Sequence, residues 1–322
     1  MKTVARFVVS AAILVVLSFL IDVPGVVDRL GNASTPWLAL GVAISLPQAL
    51  VLAWRWRYTA GRLGIELPLG VALSEYYLGN FLNQVLPGGI TGDISRAWRH
   101  ARTDVPAGAA VRAVVLERLS AQVVMTSVAA FSVAAIASAP PSLRVGAPVA
   151  LVLLGALASR TGRRSGSGPS AAGRFRDDAR RAVLSRDALL PQAASAVFVV
   201  LTYLTAFVVA ARAVGSDAPI ATLLPLVAPI LMTMLVPVTA AGWGMREGAA
   251  AALWSVAGLT PEAGVAVSVT YGLMTLVSTL PGAVVLIASA ARNPDRTGRR
   301  PRDGSDAPSA EGHPRESGSA RG

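Results

Sequence analysis

Arginine, glycine and proline recur at matching positions in two otherwise apolar stretches of the chain. The stretch LPGGITGDISR begins at residue 86, and the stretch VPVTAAGWGMR begins at residue 236. Three residue pairs coincide at an offset of 150 residues: Pro87 with Pro237, Gly92 with Gly242, and Arg96 with Arg246. A guanidinium group binds phosphate through parallel hydrogen bonds, and glycine lets an anion approach the backbone. The repeated pattern therefore predicts a phosphate-binding site to which both stretches contribute.

Helix ends at the two breaks would strengthen such a site. A broken helix exposes unpaired backbone N–H groups and the positive end of the helix dipole, and both favour a bound anion. An unbroken membrane-spanning helix presents neither group at the middle of the bilayer. We therefore expect the glycines and arginines of the two stretches to surround a phosphate together.

Each of these residues also has a purely structural explanation, which the sequence leaves open. Asp93 and Arg96 are spaced i,i+3 and can satisfy each other, and Arg246 and Glu247 can reach nearby partners. Charged residues at the inner end of a span can extend to the interface, as for Glu117 and Arg118. Tight turns or close helix packing would account for the glycines: Gly88, Gly89, Gly92, Gly242 and Gly244.

The composition is that of an all-α integral membrane protein. Of the 322 residues, 53% are hydrophobic and 15% are charged. Cysteine is absent and there are two histidines, so thiolate metal sites, a cysteine nucleophile and histidine clusters are excluded, and we expect no cofactor. The net charge of +11 lies mainly in short loops and tails. This distribution is typical of the cytoplasmic loops of a membrane protein and argues against nucleic-acid binding.

Apolar runs predict about six full transmembrane helices, at 7–21, 37–54, 113–137, 144–159, 188–211 and 263–290. Basic flanks place both termini in the cytoplasm, a loop at 22–36 outside, and Trp54 and Trp56 at the inner interface. The membrane domain would then cover 1–290, with a flexible Arg-rich cytoplasmic loop at 159–187 and a disordered basic tail at 291–322.

Two segments are too polar or too rich in proline for single spans. Residues 67–95 carry several amides and carboxylates, and residues 219–257 are interrupted by four prolines. The flanking charges return each segment to the side from which it entered, and the two segments enter from opposite sides. Opposed re-entrant hairpins at a fixed offset form an inverted repeat, a plan used by transporters with a substrate site between the repeats.

Three segments together resemble the lysylphosphatidylglycerol synthase transmembrane-region family, also called flippase-like proteins. They read GNFLNQVLPGGITGDISRAWR, VVLERLSAQ and PVTAAGWGMREGAAAALWSVAGL, and the resemblance covers most of residues 7–290. It implies a multi-pass bacterial inner-membrane protein related to the membrane half of enzymes that make and translocate aminoacylated phosphatidylglycerol. The family motifs fall here on Pro87 and on the residues we expect to bind the substrate: Asn83, Gly88, Gly92, Asp93, Arg96, Glu117, Arg118, Gly242, Gly244, Arg246 and Glu247.

The full synthases carry a soluble aminoacyl-transferase domain after the membrane part, whereas only residues 291–322 follow here. We therefore expect a protein that binds and translocates an anionic phospholipid or lipid-linked headgroup, and that is not itself an enzyme. No G-x-x-x-x-G-K-[ST] loop is present, so the chain is not expected to be an ATPase.

Two other functions stay open. One is a membrane-embedded enzyme, or its accessory subunit, that acts on a lipid phosphate with Asp93, Glu117 and Glu247 as acid–base groups. The other is a non-transporting scaffold that contacts a separate enzyme or envelope partner through the Arg-rich loop.

Overall fold

The computed structural model describes residues 2–86, 91–101, 106–136, 171–235, 239 and 242–291, with short helical pieces between 141 and 149. The chain divides into two units, Met1–Leu286 and Ile287–Gly322. All regular secondary structure in the described residues is helical, as expected. The eleven α-helices there are α1 (Lys2–Leu20), α2 (Val23–Gly31), α3 (Thr35–Arg62), α4 (Leu69–Val85), α5 (Thr91–Ala101), α6 (Ala107–Ala135), α7 (Ala171–Ala179), α8 (Arg186–Ala213), α9 (Ile220–Met232), α10 (Met245–Val256) and α11 (Pro261–Ala291).

Four of these helices are long and apolar enough to cross a membrane: α3, α6, α8 and α11. They coincide with the spans predicted at 37–54, 113–137, 188–211 and 263–290. The predicted first span lies in α1, which together with α2 makes a fifth candidate bent by 101° at the junction. Most of the span predicted at 144–159 lies outside the described residues. The described helices therefore support four spans, or five if the bent pair is counted.

The loop predicted at 22–36 contains a short helix, α2, over most of its length. Pro24 lies in the first turn of α2, where a missing N–H costs nothing. Val26 then buries its side chain in the apolar core, and the N–H of Ser34 donates to the carbonyl of Ala213 at 2.8 Å. Burial of one apolar face, which a charge count does not register, makes this segment helical.

Two sets of four helices follow the same order and carry similar turns. We call α3–α6 the first repeat and α8–α11 the second repeat. The first helix of each has 28 residues and is followed by a glycine with positive φ, at Gly64 (78°) and at Gly215 (75°). A proline then caps the next short helix, Pro68 before α4 and Pro219 before α9. The repeat predicted from three residue pairs thus recurs in helix order and in the turn that follows each long helix.

Two apolar cores are present, and residues of both repeats contribute to each: Leu38 of α3 and Met125 of α6 pack against the larger one, and Val199 of α8 belongs to the smaller one. The larger core joins α8, α9, α10 and α11 around Phe207, Leu223 and Trp254. The smaller one joins α3, α4 and α6 around Trp56 and Tyr76. Apolar side chains that face away from these cores are exposed, for example Phe131, Leu201 and Ile287, as expected for a lipid-facing surface.

The second and third helices of each repeat are short. At about 1.5 Å per residue, α4 is about 26 Å long, and α5, α9 and α10 are about 20 Å or less, against an apolar bilayer thickness of about 30 Å. Pro225 and Pro229 lie inside α9 without ending it, contrary to the predicted interruptions. They are four residues apart, so both missing N–H groups fall on one side of the helix. The helix ends at a 3₁₀ turn, Thr233–Leu235.

Part of the predicted Arg-rich loop is helical. Residues 171–187 form α7, a π-helical turn (Arg180–Leu184) and the start of α8. Arg112 of α6 pairs with Asp178 at 2.5 Å, and Arg62 of α3 pairs with Asp187. Ion pairs to two other helices thus hold this segment in place. Residues 159–170, in the same predicted loop, and the tail from residue 292 lie outside the described residues.

Candidate functional site

The side chain of Arg96, on helix α5, is buried between two carboxylates and two aromatic rings. The Arg96 side chain is 2% exposed, and its Nη2 lies 3.3 Å from both Asp93 Oδ1 and Glu117 Oε2. Its guanidinium carbon lies 4.4 Å from the ring centre of Trp56 and 4.9 Å from that of Tyr76. Opposite charge and ring faces compensate the loss of hydration, so Arg96 is enclosed within the protein.

A second arginine, Arg55 of α3, is fully buried on the other side of Glu117. Its Nη1 donates to the Gln192 carbonyl at 2.7 Å and to Ser195 Oγ at 2.6 Å, both in α8. Its Nη2 donates to Ser120 Oγ of α6 at 2.8 Å, and its Nε lies 4.0 Å from Glu117 Oε1. Arg55 thus joins three long helices and shares one carboxylate with Arg96.

The sequence prediction missed Arg55 and misplaced Trp56. Hydropathy ends the predicted span at residue 54, so Arg55 counted as a loop charge and Trp56 as an interfacial anchor. In the structure α3 continues to Arg62, and Arg55 and Trp56 are both fully buried. A helical reading of this stretch would have found them, because Leu52, Arg55 and Thr59 fall on one face.

Arg118 is the exposed member of this group. It follows Glu117 on α6, and its side chain is 44% exposed. Asp93 accepts bonds from Arg118 Nε at 3.1 Å and Nη2 at 2.8 Å, and Asn83 Nδ2 also approaches Asp93 at 3.3 Å. Among the described residues, none accepts a hydrogen bond from Arg118 Nη1. We call Arg55, Asp93, Arg96, Glu117 and Arg118 the Arg96 cluster.

A cavity of about 280 Å³ opens beside Arg118 and is lined by helices of both repeats. Helices α3, α4, α6, α8, α9 and α11 contribute to its wall, whereas α5 and α10 do not. Arg118 is the charged side chain among the described lining residues. The others include many neutral polar groups, among them Gln48, Asn80, Gln84, Gln122, Thr275 and Ser278. We call this space the polar cavity.

The second repeat buries Arg246 in a separate group. Arg246 is 2% exposed, its Nη2 donates to Glu247 Oε1 at 2.8 Å, and its Nε donates to Ser268 Oγ at 2.9 Å. Its guanidinium carbon lies 5.2 Å from the ring centre of Trp243 and 5.5 Å from that of Tyr271. We call these five residues the Arg246 cluster. One arginine and one carboxylate leave it neutral.

The three expected site glycines that the structure describes, Gly92, Gly242 and Gly244, have packing or turn functions. A Cβ on Gly92 would lie 1.8 Å from the Gly79 carbonyl oxygen, so α5 and α4 pack at this contact only without a side chain. Asn83 Oδ1 accepts the Gly92 N–H at 2.7 Å, and Glu247 Oε2 accepts the Gly244 N–H at 2.7 Å. Gly242 has a φ of 82° and Gly244 of 90°, which L side chains rarely adopt. The N–H groups of Gly92 and Gly244 are thus both bound by side chains of the protein itself.

The family model described as the lysylphosphatidylglycerol synthase TM region matches residues 4–282. The chain belongs to this family. The match contains both repeats up to residue 282 and both arginine clusters, and with the apolar helices it identifies a membrane protein. No curated protein matches the sequence.

In this family member the expected site residues form two groups. The structure brings together Asn83, Gly92, Asp93, Arg96, Glu117 and Arg118 in the first repeat, and Gly242, Gly244, Arg246 and Glu247 in the second. Asn83 and Arg118 line the polar cavity, and the other eight do not. Arg96 and Arg246, which we expected to face one phosphate, are enclosed in separate clusters. Pro87 and Gly88 lie outside the described residues.

Proposed function

We propose that this protein binds an anionic lipid or lipid-linked headgroup in the polar cavity and moves it between the leaflets of the bacterial inner membrane. The observation that carries the proposal is Arg118, half-exposed at a polar cavity that both repeats line. A charged group within a membrane domain costs at least about 2.5 kcal/mol at a helix centre. A cation held there with a free donor is suited to a phosphate.

The charge of the Arg96 cluster supports an anionic ligand. Three arginines face two carboxylates, which leaves one positive charge uncompensated. Because Arg55 and Arg96 are buried and Arg118 is not, a ligand reaches this excess charge through Arg118. A phosphate oxygen can accept from Nη1 while Asp93 keeps the other two nitrogens in position.

The short helix pairs would supply the moving parts. In our proposal, α4–α5 and α9–α10 are re-entrant hairpins that enter the bilayer from opposite sides, with both chain termini in the cytoplasm. The cavity lies between the two repeats, and motion of these short helix pairs against the long helices would change the side from which it is open. The lipid would then be exposed alternately to the two leaflets.

Binding and transport account for the carboxylates better than acid–base catalysis does. Asp93 accepts from Arg96, Arg118 and Asn83, and Glu117 lies between Arg55 and Arg96. Glu247 is held by Arg246, Ser268 and the Gly244 N–H. Each of these carboxylates is held by arginine, and none of the three lines the polar cavity where a substrate would bind.

Translocation in vesicles tests this proposal. The full chain is reconstituted into proteoliposomes with tail-labelled fluorescent phosphatidylglycerol, and dithionite quenches the label in the outer leaflet. We expect the protein to move phosphatidylglycerol faster than labelled phosphatidylcholine, which has no net charge. Protein-free vesicles of the same lipids are the control. If both lipids stay as immobile as in protein-free vesicles, the proposed function is wrong.

A further inference from the structure

The polar groups in the cavity wall exceed what one phosphate requires. The amides of Gln48, Asn80 and Gln84 line the cavity, and Gln48 Nε2 is buried without a partner. No described residue forms a hydrogen bond with the amides of Asn80 and Gln84, which are four residues apart on one face of α4. A buried polar group without a partner is costly, so Gln48 indicates a polar occupant, and the half-buried amides of Asn80 and Gln84 are available to the same occupant.

The hydroxyl groups in the same wall act as acceptors. Four of them donate their hydrogen to the backbone of their own helix and keep free lone pairs towards a ligand. The donors and the receiving carbonyls are Ser45 to Val42 at 2.6 Å, Thr275 to Tyr271 at 2.8 Å, Ser278 to Met274 at 2.7 Å and Thr279 to Leu276 at 2.8 Å. Together with the amides, they suit a ligand that carries several O–H groups, each of which donates and accepts.

The charges in and beside the cavity wall indicate which net charge the ligand carries. The single uncompensated positive charge matches a phosphodiester, which carries one negative charge, rather than a phosphomonoester, which carries about two at neutral pH. No carboxylate lines the cavity among the described residues. An ammonium group on the headgroup would therefore meet Arg118 without a counter-ion of its own.

We infer that the headgroup taken into the polar cavity is a neutral polyol or sugar joined to the lipid through one phosphodiester. The inference rests on the proposed transport function and specifies its substrate. The phosphate binds Arg118 Nη1, and the hydroxyls of the headgroup bind the amides of α4 and the hydroxyls of α11. Tyr77, Tyr203 and Tyr271 also line the cavity, and tyrosine side chains can pack against the C–H side of such a headgroup.

Three tail-labelled lipids in the same proteoliposomes test the inference. Phosphatidylinositol has a polyol headgroup, phosphatidylmethanol has the same charge without hydroxyls, and phosphatidylethanolamine carries an ammonium group. We expect phosphatidylinositol to move about tenfold faster than phosphatidylmethanol, the effect of two or three hydrogen bonds that the methyl ester leaves unmade. Equal rates for these two, or a faster rate for phosphatidylethanolamine, overturn the inference while the transport function stands. If no lipid, phosphatidylglycerol included, moves faster than in protein-free vesicles, the transport function itself fails.

A variant in the wall separates headgroup recognition from general damage. Asn80→Leu keeps the branched shape of the side chain and removes the amide, so it should slow phosphatidylinositol severalfold and leave phosphatidylmethanol unchanged. Thr275→Val is the second variant, for the case that the first does not fold. The matched control is Ser74→Ala, which lies on α4 outside the cavity wall. Equal slowing of both lipids in a folded Asn80→Leu or Thr275→Val protein contradicts the inference.

Discussion

Arg96 and Arg246 hold matching positions in the two repeats, and each lies against a Trp ring, a Tyr ring and a carboxylate. The two clusters differ in charge and in access. The Arg96 cluster contains Arg55 and Arg118 in addition, carries one excess positive charge and reaches the polar cavity. The Arg246 cluster is neutral, and of its five residues only Tyr271 lines the cavity. An arginine between two rings is therefore a structural unit common to both repeats, and the charge available to a ligand belongs to the first.

Positions along the fourth helix of each repeat explain this difference. Glu117 and Arg118 are the eleventh and twelfth residues of α6, and Tyr271 and Gly272 are the eleventh and twelfth of α11. A Cβ on Gly272 would lie 2.3 Å from Arg246 Nη2. At the position where the first repeat has Arg118 beside the cavity, the second repeat has Gly272, which makes room for Arg246.

The largest loss of stability is expected when Glu117 is replaced, because its carboxylate lies against two buried arginines. Breaking a buried ion pair costs about 3–5 kcal/mol, since a charge is left without its partner. We expect Glu117→Gln to lower the melting temperature of the purified protein in detergent more than Glu247→Gln does, because Glu247 pairs with one arginine. Tryptophan fluorescence on heating measures both. An equal or larger loss in Glu247→Gln would show that the two clusters do not differ in this way.

A methyl group at Gly92 should have the next largest effect. Its Cβ would meet the backbone oxygen of Gly79, which can move only if α4 and α5 separate. Overpacking of this kind costs about 1–3 kcal/mol. We expect Gly92→Ala to lower the melting temperature clearly. The control is Gly70→Ala on α4, the helix that contains Gly79; its added methyl group meets nothing within 4 Å and should be harmless. Similar melting temperatures for the two variants would contradict the packing described for Gly92.

The smallest effect is expected at Gly272. Its added Cβ would meet the end of the Arg246 side chain, which can shift more easily than a backbone. We expect Gly272→Ala to cost about 1 kcal/mol, less than Gly92→Ala, and to leave lipid translocation in place. Melting temperature and the vesicle assay check both parts. A loss of translocation in a folded Gly272→Ala protein would mean that the Arg246 cluster contributes directly to the ligand.

The sequence predicted those features that depend on local pattern. Apolar runs located four spans, and the aligned Pro, Gly and Arg residues located the short helix pairs. The burial of Arg55 and Trp56 could not be read in the same way, because Arg55 is held by Gln192 and Ser195, 137 and 140 residues away. The polar cavity likewise depends on six helices at once. The burial of Arg96 and Arg246 in separate clusters could not be predicted for a related reason, since local sequence does not distinguish an enclosed guanidinium from an open one.

Arg118→Gln tests the central claim most directly, because it removes the charge at the cavity and leaves both buried arginines with their carboxylates. We expect its melting temperature to stay within a few degrees of the wild type, since a half-exposed ion pair contributes about 1 kcal/mol or less. Its translocation of labelled phosphatidylglycerol in proteoliposomes should fall to the rate of protein-free vesicles. Translocation at the wild-type rate by a folded Arg118→Gln protein would contradict the assignment of Arg118 as the group that binds the lipid phosphate.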